Sequence, residues 1–221
     1  YHVGSVQQFL TFTRETGAAD CATVVETDNF TPEVSFAYTS GFTIPVSTPF
    51  RLTGEATDAN GDALTYNWEQ YDLGPASDID DPSGNAPLFR SLFPLPNGNV
   101  RYFPNLARIV NDIQSLAEVL PTYTRDMTFR LVARDNNVMA GGIDWEQLKF
   151  KTSEGAGPFL VNDPEGGDLR VGEYREITWD VANTDQAPVS CKRVNIIMST
   201  DGGDTFDAVS DTHTTLPQNS E

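Results

Sequence analysis

Histidine and cysteine are nearly absent from this chain of 221 residues, which holds only His2, His213, Cys21 and Cys191. The cysteines lie in different segments, outside any CxxC or Cys/His cluster, which argues against a structural zinc site. They are placed to bond each other or partners outside the sequence; the second is favoured, because both stand near apparent segment boundaries. Basic residues are scarce as well. Fourteen Lys and Arg face 32 Asp and Glu, a formal charge of −18, so a phosphate backbone or an anionic lipid surface is repelled and nucleic acid is not an expected partner. No apolar run approaches the roughly 20 residues that a helix needs to cross a bilayer, and no membrane insertion is expected. Nor does an initiator Met or a signal peptide precede Tyr1, where the residues already look like the middle of a helix; a processed or cut piece is the expectation.

What is present is enough apolar and aromatic matter for ordinary cores, 38% and 10% of the residues, in one or two domains. Val3, Val6, Phe9, Leu10 and Thr13 predict a helix over residues 4–14, ended at Gly17. A lone helix this short is marginal in water, so its apolar face must rest on the following domain or on one that is absent. From about Val34 the pattern becomes strand and turn. Residues 42–46, 49–57, 63–71, 126–135 and 144–152 alternate or carry β-branched and aromatic residues between turn formers. In TDANGDALTYNWEQ (57–70), Leu64, Tyr66 and Trp68 share one strand face and Thr65, Asn67 and Glu69 the other. A long connection over 72–121 includes LARIVNDIQSLAEVL, which predicts one short helix there. A second unit follows, with strands expected at 159–161, 174–181 around Trp179, and 194–199. The fold expected is all-β: two tandem Ig-like β-sandwiches of cadherin or PKD type, over 30–154 and 155–221, joined at 153–156, the second incomplete.

In such a sandwich the loop between the second and third strands and the loop between the last two lie at one end. That brings Asp58, Asn60 and Asp62 towards Asp135 and Asn136, an all-oxygen set suited to Ca²⁺. The simpler use of Asp58 and Asp135 is to cap turns by accepting amide hydrogen bonds, and DANGD lacks the Glu that would complete an EF-hand. If an ion sits there, it stiffens the junction with the incoming chain. Three further signals have plainer readings: Ser199, Asp201, Gly203, Thr205 and Phe206 match a single Asp-box, which reads as a turn staple. Glu69, Asp144 and Glu146 read as strand-face acids rather than a glycosidase pair. Tyr66, Trp68, Trp145 and Trp179 read as core rather than a sugar platform.

YHVGSVQQFLTF, CAT, IPVSTPFRLTGEATDANGDALTYNWEQYD, FRSL, RYFPNL, EVLP, TFRLVARDN, AGPFLV, ITWDVANT, APVSC and STDGGDTF stand in an order that resembles the secreted bacterial reprolysin-like zinc metallopeptidases, over nearly the whole chain. The resemblance implies that residues 1–29 are the last helix and connector of a metzincin catalytic domain, and that Ig-like modules follow. It also implies a secreted or cell-surface location and an upstream catalytic domain as partner, with protein or polysaccharide as the docked substrate. The family's HExxHxxGxxH site takes three imidazoles and a Glu base, which His2 and His213 cannot supply. Zn²⁺ therefore belongs only to the missing catalytic domain, no catalytic residue is carried over, and the segment is inactive alone. The family often has cysteines where Asn67 and the region of Gly142 stand here, so a disulfide in that module is not implied. The alternative is a calcium-stiffened adhesion or structural module with no protease history.

Overall fold

A computed structural model describes residues 2–17, 20–23, 25–163, 176–201, 203 and 205–214, with the backbone alone over 207–214. The chain opens with helix α1 (Val3–Glu15), whose first turn is capped by the His2 ring accepting the Gly4 N–H. Val3 is fully buried, Val6, Leu10 and Thr13 half-buried, and Phe9 and Phe12 exposed. The helix thus presents apolar side chains on two faces. It is held to the domain that follows by polar contacts: the His2 ring to Gln70 O, Val3 N–H to Glu69 Oε2 at 2.6 Å, and Gln7 Oε1 to Arg130 and Tyr71.

Strands β1 (Glu33–Ser35), β2 (Thr43–Pro45), β3 (Phe50–Thr53), β4 (Glu55–Thr57), β5 (Thr65–Gln70), β6 (Val100–Phe103), β7 (Asp126–Arg134) and β8 (Ile143–Ser153) build the first unit. A four-stranded sheet runs β2-β8-β7-β5, with β2 parallel to β8 and the other pairs antiparallel. β3 pairs with β6, and β1 with β4. Register sorts the side chains: Trp68 lies opposite Leu131, and Phe129 opposite Leu148, so these project to one face and meet Leu52 and Phe103 in the core. Ring contacts close the two layers, Phe50 stacking on Phe103 at 4.9 Å and Phe103 meeting Phe129 edge-on at 4.9 Å. Burying side chains of this size is the main favourable term for such a domain.

The expected strand over 49–57 is divided at Gly54, where a Cβ would run into the Leu131 side chain and come within 3.0 Å of Ser35 O. That close approach lets the chain leave β6 and join β1. β6 lies inside the long connection, where the spacing predicts no strand, and the helix there is only one turn, α2 (Leu106–Val110), capped by Asn105. The connection is nonetheless pinned. Arg101 on β6 pairs with Glu118 at 3.0 Å, both side chains being about 5% exposed, and Arg101 also donates to Trp68 O and Arg90 O. At the other end of β5, Gln70 accepts Leu88 N–H and Phe89 N–H while donating to Asp72, itself beside Arg125. Burial pushes the Asp72 carboxyl above its ordinary value, even though Gln70, the Thr128 N–H and Arg125 oppose it.

Beyond β8 the described residues form two antiparallel ribbons, β9 (Leu160–Asp163) with β10 (Thr178–Asp180) and β11 (Arg193–Met198) with β12 (Asp207–Thr214). The start of the strand expected over 174–181 lies outside the described residues. The junction expected at 153–156 is stitched on both sides: Val46 N–H reaches Ala156 O, Gly157 N–H reaches Ala182 O, and Phe159 N–H reaches the Thr48 hydroxyl. Among the described residues the architecture is all-β with two short helices. Cys21 and Cys191 are exposed thiols that do not bond each other.

Candidate metal centre

The turn after β4 folds back on Asp58, whose Oδ1 accepts the N–H groups of Asn60 and Asp62. This is the Asx-type use that an aspartate before a tight turn favours. It leaves Oδ2 shut off from solvent with no donor among the described residues. Across from it, at the C-terminal end of β7, Asp135 is 3% exposed. Asp58, Asp62 and Asp135 each bring a carboxylate oxygen within 4.8 Å of the other two.

Asp135 organises the loop between β7 and β8. Its oxygens accept the Gly142 N–H at 2.8 Å, the Asn137 N–H at 3.0 Å and the Asn29 amide at 2.6 Å. Gly142 is required there, since a Cβ would stand 2.6 Å from Asp135 Oδ2 and 2.9 Å from Thr31 Cα. Burial raises the Asp135 carboxyl, but the Asn137 and Gly142 N–H groups and the Asn29 amide outweigh it, and the group lies below the usual aspartate range. Asn137 completes the set by donating to Asp62 Oδ2 and to Asn29 Oδ1, both at 3.1 Å.

The other two residues read from the sequence take different posts. Asn60 clasps the incoming chain: its Oδ1 accepts the Phe30 N–H at 2.7 Å, and its amide donates to Asp28 O. Asn136 sits at φ 56°, a left-handed conformation that asparagine tolerates, and its amide turns to Ala63 O and the Thr65 hydroxyl. Asn29 and Asn137 stand where Asn60 and Asn136 were expected. A cavity of about 420 Å³ opens beside Asp58, walled by Phe30, Thr31 and Glu33.

The remaining sequence signals separate. Glu69 pairs across the sheet with Arg130, whereas Asp144 and Glu146 pair with Ala133 and Leu131, so alternation sets Glu69 on the opposite face from both. Glu69 is occupied by Val3 N–H, Asn67 and Ser91, and Asp144 accepts the Val34 N–H. Trp68 is fully buried with its indole N–H on Asn99 O, Tyr66 donates to Ala56 O, and Trp145 lies near the Arg130 guanidinium. Trp179, on β10, is half-buried. In the Asp-box segment Asp201 accepts the Thr205 hydroxyl and N–H and the Ser199 hydroxyl, which hold its carboxyl well below the usual range; Ser199 accepts the Gly203 N–H. Those side chains are spent on the turn, and Phe206 is exposed.

No helix among the described residues is long and apolar enough to cross a membrane. Neither a family model, nor a curated protein, nor a solved structure matches this chain.

Proposed function

We propose that this chain is a non-catalytic accessory region of a secreted zinc metallopeptidase, built as tandem Ig-like sandwiches, in which a Ca²⁺ ion at Asp58, Asp62 and Asp135 fixes the connector from α1 to the sheet. The observation that carries it is the placement of α1. Its N-terminal turn is bonded to Glu69 and Gln70 on the sheet, while Phe9 and Phe12, 64% and 60% exposed, face away. Two outward rings a helical turn apart are what an upstream domain would cover.

The metal part of the reading rests on chemistry at the cluster. Two carboxylate oxygens held across a shell of about 2.4 Å radius stand about 4.8 Å apart, and the three acidic groups here fall inside that span. Three clustered carboxylates, one of which carries a buried oxygen with no donor among the described residues, are costly to hold together unless a cation joins them. Because Asn29 and Asn60 tie residues 28–30 to the same loops, an ion there stiffens the connector.

A longer chain that includes the residues encoded ahead of Tyr1 is expected to carry the three-histidine zinc motif and to cleave peptides until the zinc is chelated, whereas 1–221 alone cleaves none. A longer chain without that motif contradicts the reading. The second reading, a calcium-stiffened adhesion module, draws on the stitched junction around Ala156 and Gly157. It expects further modules downstream and no protease upstream.

A further inference from the structure

Two cavities flank the short ridge of residues 90–94. One, of about 430 Å³, is walled by Asn105, Arg108 and Ile113; the other, of about 310 Å³, by Asn67, Phe93 and Pro94; Arg90 and Leu92 line both. The ridge backbone is preset from beneath: Arg90 N–H donates to Ala117 O, Arg90 O accepts from Arg101, the Ser91 hydroxyl donates to Glu69, and Leu92 O accepts the Asn67 amide. A surface held this way loses little entropy when a ligand settles on it.

The Arg90 side chain is the unusual feature. In a chain of net charge −18, its exposed guanidinium makes no hydrogen bond or ion pair with any described residue. The acids that line the same hollows are already committed, Glu69 to Val3, Asn67 and Ser91, and Glu118 to Arg101, Asn105 and Arg108. An exposed arginine with no partner among the described residues, set between two partly apolar hollows, is a carboxylate receptor with hydrophobic flanks.

We propose that this ridge binds an extended peptide segment whose acidic side chain is flanked, two residues away on each side, by aliphatic ones. Residues i−2, i and i+2 of an extended chain project from one face about 7 Å apart. The acid then lies on Arg90, and the aliphatic side chains enter the hollows beside Leu92 and Ile113. The proposal leans on the accessory reading for the source of that peptide, a substrate chain. Its test does not: binding is measured on 1–221 alone, and catalytic activity of a longer chain has no bearing on it.

The experiment is fluorescence anisotropy of a labelled Ala-Leu-Ser-Glu-Ser-Leu-Ala peptide titrated with the chain to roughly millimolar concentration, the range of weak docking. Saturable binding is expected, weakened about tenfold when Gln replaces the peptide Glu and about tenfold by Arg90→Ala, the size of one charge-assisted contact. Arg90→Glu should instead favour the peptide with Lys at the centre. Arg90 is exposed, so both variants should melt with the parent. Equal binding of the Glu and Gln peptides, or unchanged binding by Arg90→Ala, overturns the proposal. So does Arg90-dependent binding of an oligouronate with none of the peptide, which would assign the ridge to a sugar acid.

Discussion

Arg101→Ala is expected to cost about 3–5 kcal/mol, the range for removing one partner of a buried ion pair. The arginine reaches Trp68 O at 2.6 Å, Arg90 O at 2.9 Å and Glu118 at 3.0 Å, and its guanidinium lies 4.5 Å from the Phe103 ring centre. Truncation takes a donor from two carbonyls and from a buried carboxylate, and it removes one of the ties between the 72–121 connection and β5. Glu118→Ala should cost a similar amount, because it also orphans the Asn105 N–H and Arg108. Replacing both with apolar residues of like volume should recover much of the loss, as the charges then leave together. Urea unfolding with unchanged slope is the measurement; a loss under about 1 kcal/mol for Arg101→Ala, the scale of an exposed pair, would contradict the account.

Asp135→Ala is the second large effect, about 3 kcal/mol or more, since Gly142, Asn137 and Asn29 lose their acceptor together. It should loosen residues 28–31 as well as the β7–β8 loop, which hydrogen exchange at Phe30 would register. The pH dependence has a fixed sign. The folded carboxyl lies below its unfolded value because the three donors prevail over burial. Its stabilisation is therefore complete above the unfolded aspartate pKa of about 3.9 and is lost as pH falls through the lower folded value. The gap between parent and Asp135→Ala should narrow in that acid range; a gap that widens on acidification contradicts it.

Much of the fold could be read from spacing. Tyr66 and Trp68 alternate with Asn67 and Glu69 as expected, and the register puts the first pair toward the core. The helical spacing of Val3, Val6 and Leu10 gave α1 nearly to its ends. β6 was hidden because four residues between Asn and Pro carry no periodicity, and its partner β3 is remote in sequence. The single run expected over 49–57 breaks at a glycine whose role depends on Leu131 across the core. The order of RYFPNL and EVLP was legible, but not that Arg101 of one would pair with Glu118 of the other.

At the acid cluster the carboxylates were legible and the amides were not. Asp58, Asp62 and Asp135 sit in turns whose convergence follows from strand order. Asn136 points to β5 because its left-handed backbone redirects the side chain, and its neighbour Asn137 takes the inward position. Asn29 enters from a connector without periodicity. Its TDNF context signals a turn, and nothing local tells which loops that turn will meet.

Calcium-dependent melting of the parent chain and of Asp58→Asn bears most directly on the claim that the cluster holds an ion. With Ca²⁺ at about a hundred times its dissociation constant, the parent midpoint should rise by roughly 5–10 °C over its value in chelator. Asp58→Asn should not respond. Without calcium it should be at least as stable as the parent, because a neutral amide relieves the crowding of three carboxylates and removes a buried oxygen that has no donor among the described residues. Parent curves that superimpose with calcium and with chelator, or an Asp58→Asn chain that responds as the parent does, would contradict the account.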